Sequence, residues 1–243
     1  MLPCLVINLE RRPDRWKTFE SLAEKATFKN YIRVNAIDGA FVNDSDQLGL
    51  FRNFPRHPLQ GEIGCALSHL NIWKSITTTT LVLEDDVRFT DEFNEKINRL
   101  LKHIETINYD IVYIGYHPNV NVCKAKTIDL KEIQKDKYNE VVFSLHDICL
   151  TTGMDNDIFG IHGGGTFGYI ITPQGAKKFC ESVENVGFLW PLDYHMLLFY
   201  KRVSSYCAVE PLVFSDMCSM ETMEEIDTDI QHSEPVQIMV VNK

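Results

Sequence analysis

The chain reads as an α/β layered domain, a mostly parallel central sheet flanked by helices. Short apolar runs of strand length recur at residues 5–9, 31–35, 80–83, 109–114 and 167–172. Between several of them, apolar residues return at helical spacing. The hydrophobic fraction of 44% supplies one sizeable core, and no shift in composition marks a second domain before about residue 217.

In chain order, residues 5–9 are a buried strand. Pro13 suits the first turn of a helix over 13–25. A second strand at 31–35 closes on the turn signal Asp38-Gly39. Residues 40–60 carry Pro55, Pro58 and many polar side chains and are expected to be irregular. Ile63, Ala66, Leu67, Leu70 and Trp73 then mark an amphipathic helix starting after Gly61. The strand at 80–83 runs into Glu84-Asp85-Asp86, and Phe93, Ile97, Leu100, Leu101 and Ile104 form the next helical stripe. A strand at 109–114 ends at Gly115. Residues 117–165 carry weak signals, with one strand at 141–145. A strand at 167–172 precedes a helix opened by Pro173. Residues 1–216 make up the expected domain; 217–243 form an acidic tail, either covering the active site or poorly ordered.

Composition excludes some functions. With 34 acidic and 24 basic residues the formal charge is -10, which argues against nonspecific nucleic-acid binding. The 7 cysteines are scattered without a Cys-x-x-Cys pair, which fits buried reduced thiols. No run approaches a membrane span, and no secretory signal is visible. The expected location is therefore cytoplasmic, peripheral to a membrane at most.

Five stretches could carry chemistry. Three adjacent carboxylates, Glu84, Asp85 and Asp86, repel unless something compensates them, and a hard divalent cation would do so; a solvated acidic turn is the plain alternative. Asn8 through Arg15 runs from a strand to a helix start, with Arg11, Arg12 and Arg15 near it. Helix N-termini and guanidinium forks suit phosphate, although a basic surface turn has the same composition. Along Gly61-Glu62-Ile63-Gly64-Cys65-Ala66-Leu67-Ser68-His69, the residues Glu62, Cys65 and His69 share a helical face, and the glycines suggest a close approach to the backbone. Ser68 and His69 either touch ligand or satisfy the core. The glycines at 163–165 precede a strand, so they are not a dinucleotide fingerprint. No G-x-S-x-G elbow accompanies them, which removes an esterase; their amides, including that of Gly165, remain free to face a ligand. Asp193 lies between Trp190 and Tyr194, either as a sugar-site acid or as a helix cap.

In this order the blocks resemble glycosyltransferase family 25. They are Val6-Ile7-Asn8-Leu9 with Arg12 and Arg15, Ala36-Ile37-Asp38-Gly39, residues 61–69, Leu83-Glu84-Asp85-Asp86, residues 165–176 and Pro191-Leu192-Asp193. Thr228-Asp229-Ile230 resembles a further C-terminal block. The family includes lipooligosaccharide galactosyltransferases and collagen hydroxylysine galactosyltransferases. The resemblance implies a single Rossmann-like GT-A domain, a UDP-galactose or UDP-glucose donor, Mn²⁺ (or Mg²⁺), and inverting transfer. The acceptor is a hydroxyl on a glycan, lipooligosaccharide or hydroxylysine-type substrate. By that resemblance Asp86 and Asp85 bind metal, with His232 as a further ligand. Asn8, Arg12, Arg15, Asp38, Gly61, Glu62, Ser68, His69, Glu84, Asp85 and Gly165 line the nucleotide-sugar site, and Asp193 is the candidate base. Two rivals are a carboxylate-based glycoside hydrolase, which has no use for the arginines, and a non-catalytic sugar-binding module on the same fold.

Overall fold

The computed structural model describes residues 2–117, 142–144, 164–199, 202–208, 211–215, 229–230 and 233–238. Strand β1 (Cys4–Asn8) leads into helix α1 (Pro13–Lys25), with Pro13 in its first turn as expected. β2 (Ile32–Asn35) is followed by a single 3₁₀ turn (Gly39–Phe41), which the Asp38 carboxylate caps through the Ala40 N–H. The stretch expected to be irregular contains one helical turn, α2 (Ser45–Gly49), whose first amides are capped by Asp44. Next come α3 (Gln60–Ser75), β3 (Thr80–Glu84), β4 (Val87–Phe89), α4 (Phe93–Ile104) and β5 (Ile111–Gly115). The remainder is β6 (Val142–Ser144), β7 (Gly168–Ile171), α5 (Pro173–Val186), α6 (Leu192–Leu198), β8 (Ser205–Ala208) and β9 (Val213–Ser215).

The main sheet has 7 strands in the order β2-β1-β3-β7-β5-β8-β6. Pairings β1–β2, β1–β3 and β5–β8 are parallel; β7 is antiparallel to both neighbours, and β6 is antiparallel to β8. Strands β2, β1, β3, β5 and β8 thus share one direction and β7 and β6 oppose it. This is the mostly parallel α/β sheet expected from the sequence. A second sheet pairs β4 with β9.

Two apolar layers sandwich the sheet. One packs Ile63, Leu67, Trp73, Phe179 and Met196 from α3, α5 and α6. The other packs Phe19, Phe93, Ile97 and Ile104 from α1 and α4. Strands β3 and β7 are buried on both faces, so they read as continuous apolar runs rather than alternating ones. Cys4, Cys65 and Cys180 are free thiols. Among the described residues no helix is long and apolar enough to cross a membrane.

Candidate active site

A cavity of about 380 Å³ opens beyond the C-terminal ends of β1 and β3, where ligands of such sheets sit. Of the residues singled out from the sequence, Asn8, Arg15, Asp38, Gly61, Glu62, Ser68, His69, Glu84, Asp85, Asp86, Gly165 and Asp193 all line it. Arg12 stands behind this lining, and His232 lies outside the described residues. Arg11, Cys65, His117, Thr166, Tyr194 and Asp229 also face the cavity, although they were not among the assigned site residues.

The acidic triplet occupies the end of β3 and the turn into β4. Asp85 is buried at 6% exposure. Asn8 donates to it through Nδ2, and Arg33 in turn donates to the Asn8 side-chain oxygen. The repulsion within the triplet is compensated in part by the protein itself. Arg15 NH2 reaches Asp85 at 2.9 Å and Asp86 at 3.0 Å. Burial still outweighs this for Asp86, and with Glu84 nearby its carboxyl is pushed up to about 7. Ser215 of β9 donates to Asp86 Oδ2 at 3.2 Å, while Oδ1 is buried with no hydrogen-bond partner among the described residues. Burial also raises the Asp85 carboxyl, against Arg15 and Asn8. Burial pushes Glu84 the same way, but His69, Thr166 and Arg15 overcome it and hold its carboxyl low.

The arginines do not present an open anion site. Arg11 pairs with Asp38 at 2.5 Å and with Asp229 at 2.7 Å. Arg12 pairs with Asp229 at 2.7 Å and Asp14 at 2.8 Å, and Arg15 reaches Asp229 at 3.3 Å. Burial raises the Asp229 carboxyl, yet Arg11 and Arg12 outweigh it and hold it below the ordinary range. The segment carrying Asp229 packs on the start of α3. Ser233 accepts the Gly61 N–H at 2.9 Å, Gln60 N–H reaches Glu234 O at 2.8 Å, and Val236 N–H reaches Pro58 O at 2.8 Å.

The glycines of α3 answer to this packing. A Cβ on Gly61 would meet Ile230 Cα at 2.5 Å, and one on Gly64 would meet Ile37 O at 2.5 Å. What approaches the backbone is therefore the chain's own backbone, not a ligand. Two more expected binding residues are engaged within the fold. Glu62 accepts the Leu59 N–H at 2.8 Å and holds the Arg56 fork. Ser68 accepts the Ile37 N–H at 2.8 Å and donates to Gly64 O at 2.6 Å. Both border the cavity with their polar atoms already partnered.

Asp193, in the first turn of α6, combines its two readings. Oδ1 accepts the Tyr194 N–H and Oδ2 the Gly165 N–H, each at 2.8 Å. The Gly165 amide thus faces a carboxylate of the protein. Gly164 and Gly165 have φ of 120° and 88°, a region that favours glycine. Burial raises the Asp193 carboxyl despite those two amides. Its neighbour His195 is a core residue: Leu189 N–H donates to Nδ1 at 3.2 Å, and Ser182 lies 3.3 Å from Nε2.

The sequence profile of glycosyltransferase family 25 (LPS biosynthesis protein) matches residues 1–196. The chain belongs to glycosyltransferase family 25. Within the family, a candidate glycosyltransferase of Acanthamoeba polyphaga mimivirus is 32% identical over 188 residues, covering 74% of this chain and 52% of that protein. Procollagen galactosyltransferase 2 of Mus musculus is 29% identical over 212 residues, 81% of this chain and 30% of that protein. The inactive glycosyltransferase 25 family member 3 of Mus musculus is 34% identical over 125 residues, 45% of this chain and 21% of that protein. The chain thus spans about half the length of the first relative and under a third of the other two. Glu84, Asp85, Asp86 and Asp193 bring four carboxylates to the cavity of this chain.

Proposed function

We propose that this protein transfers a hexose, galactose or glucose, from a UDP-sugar to an acceptor hydroxyl with inversion, aided by Mn²⁺ or Mg²⁺. The observation that carries the reading is Asp86 Oδ1, buried at the cavity and without a hydrogen-bond donor among the described residues. An orphaned carboxylate oxygen beside two further carboxylates fits a hard cation, with Asp86 and Asp85 as its holders. When bound, the cation neutralises charge developing on the diphosphate leaving group.

The chain's own residues account for the rest. Arg11 and Arg15 line the cavity and face the nucleotide side, with Asn8 fixing Asp85 between them. Glu84, held ionised, accepts a hydroxyl of the donor. Asp193 takes the proton of the acceptor hydroxyl while that oxygen bonds to the anomeric carbon and the bond to the diphosphate breaks. Burial raises its carboxyl and so makes it a stronger base than an ordinary carboxylate, and the amides of Gly165 and Tyr194 hold its orientation. The exposed ring of Trp190 and that of Tyr194 offer apolar faces to an acceptor sugar.

The test is release of UDP from UDP-galactose and UDP-glucose with and without Mn²⁺, first without acceptor, then with glycan, lipooligosaccharide and hydroxylysine acceptors. Metal-dependent release lost in Asp86→Asn supports the reading. Cleavage of an oligosaccharide in the absence of any nucleotide supports a hydrolase instead.

A further inference from the structure

His69 lies 1% exposed between β7 and the end of β3. Its Nδ1 is 2.7 Å from the Tyr169 hydroxyl, which also accepts the Trp73 indole N–H at 3.1 Å. An indole N–H only donates, and a phenol has one proton to give. Among the described residues the acceptor within reach of that proton is His69 Nδ1. The reverse assignment, Nδ1–H into the phenol oxygen, would leave a buried O–H with no acceptor, which native interiors avoid. Nδ1 therefore accepts, and the imidazole proton resides on Nε2. Among the described residues that nitrogen has no hydrogen-bond partner of its own, and it faces Glu84 Oε1 at 3.5 Å. Thr166 donates to the same oxygen.

We propose that Tyr169, backed by Trp73, is a positioning residue that locks His69 as the Nε2–H tautomer and thereby seats Glu84. The Thr166 hydroxyl donates to Oε1 and the Nε2–H faces it from 3.5 Å, while Oε2, without a protein hydrogen bond among the described residues, is left for a hydroxyl of the ligand. The identity of that ligand rests on the nucleotide-sugar reading above; the tautomer does not. The lock has a second consequence. Cys65, His69 and Glu84 each offer a ligand atom within 4.8 Å of one another, a sulfur, nitrogen and oxygen set that would suit zinc. Coordination there needs the Nε2 lone pair, and the lock places a proton on it. A cation bound there must displace that proton and reverse the His69–Tyr169 hydrogen bond.

The test is a long-range ¹H–¹⁵N correlation spectrum of the full ¹⁵N-labelled chain, with the His69 ring assigned by comparison with His69→Asn. The expected result is a protonated Nε2 and an accepting Nδ1 in the unmodified protein. A protonated Nδ1 overturns the proposal without recourse to any variant. In Tyr169→Phe, which keeps the indole of Trp73, the Nε2–H signature should give way to a mixture of tautomers. Affinity for the UDP-hexose should fall about tenfold, the scale of one hydrogen bond to a charged group. Retention of both the tautomer and the affinity in that variant also overturns the proposal. A protonated Nε2 in a protein that binds no nucleotide sugar refutes the proposed function and leaves the lock standing.

Discussion

Replacing Asp86 by Asn should stabilise the metal-free protein while abolishing its metal response. The folded carboxyl sits at about 7 against the ordinary 3.8. A raised folded pKa means that stability is fully present below the unfolded value and is lost as pH rises through about 7. At pH 8 the ionised group costs at most about 4 kcal/mol, from roughly three pKa units at 1.36 kcal/mol each. The attraction of Arg15 is already contained in that pKa, and local relaxation around the charge lowers the cost, so the expected gain is about 2 kcal/mol. For a domain of this size that corresponds to a melting temperature higher by about 4–8 °C. Asparagine is isosteric and keeps the Ser215 contact. The assay is thermal unfolding of both proteins at pH 5 and pH 8, with chelator and with Mn²⁺. The variant should gain at pH 8, gain clearly less at pH 5, and no longer be stabilised by Mn²⁺. A variant less stable than the parent at pH 8, or one stabilised by Mn²⁺ to the same extent, would falsify both the buried-charge argument and the metal assignment.

Asp193→Asn should lower turnover by about 10²–10⁴-fold with donor binding intact, as loss of a general base does; normal turnover in that variant removes Asp193 from the chemistry. In Gly164→Ala the new Cβ would lie 2.7 Å from Asp193 Oδ2 at a φ of 120°. Turnover should drop at least about tenfold through displacement of that carboxylate, and kinetics with unchanged kcat would refute the coupling. Gly61→Ala pushes a methyl into Ile230 and Asp229; limited proteolysis should then cut the chain faster near residue 229, and equal cutting rates would show that the contact is dispensable. Burial lowers the His195 imidazole to about 4. The unfolded chain then binds the extra proton between about 6.5 and 4, so stability falls as pH drops through that window, by about 3 kcal/mol in all. Denaturant melts of the protein and of His195→Phe, which should lose that slope, check it.

The elements that could be read from the sequence are those with a local physical signature. Pro13 fixes the start of α1, and the stripe from Phe93 to Ile104 fixes α4 in full. β4 and β9 were not legible because each is a three-residue strand that exists by pairing with the other, Val87 with Ser215 across 128 residues, which periodicity does not see. The turn at α2 carried a readable cap in Asp44, which the surrounding prolines masked. At the site, the residue types were legible and their partners were not. Adjacent carboxylates announce a need for positive charge, but nothing in the sequence says that Arg15 supplies part of it. Likewise Gly61, Glu62 and Ser68 announce a crowded helix start without saying that the chain itself is what crowds it. Asp229 joins the arginines across more than two hundred residues, a contact that only folding defines.

That contact changes what an affinity measured on this cavity would mean. Three guanidinium groups converge on one internal carboxylate, so the protein carries a tethered anion where an incoming phosphate would look for charge. A ligand does not fill a vacancy there; it enters an exchange, and its apparent binding constant is a ratio between its own grip on Arg11, Arg12 and Arg15 and that of Asp229. A weak or monovalent anion loses such an exchange, whereas a diphosphate, with more charge and more acceptor oxygens, can win it. The site thereby discriminates by charge density before any part of the sugar is touched.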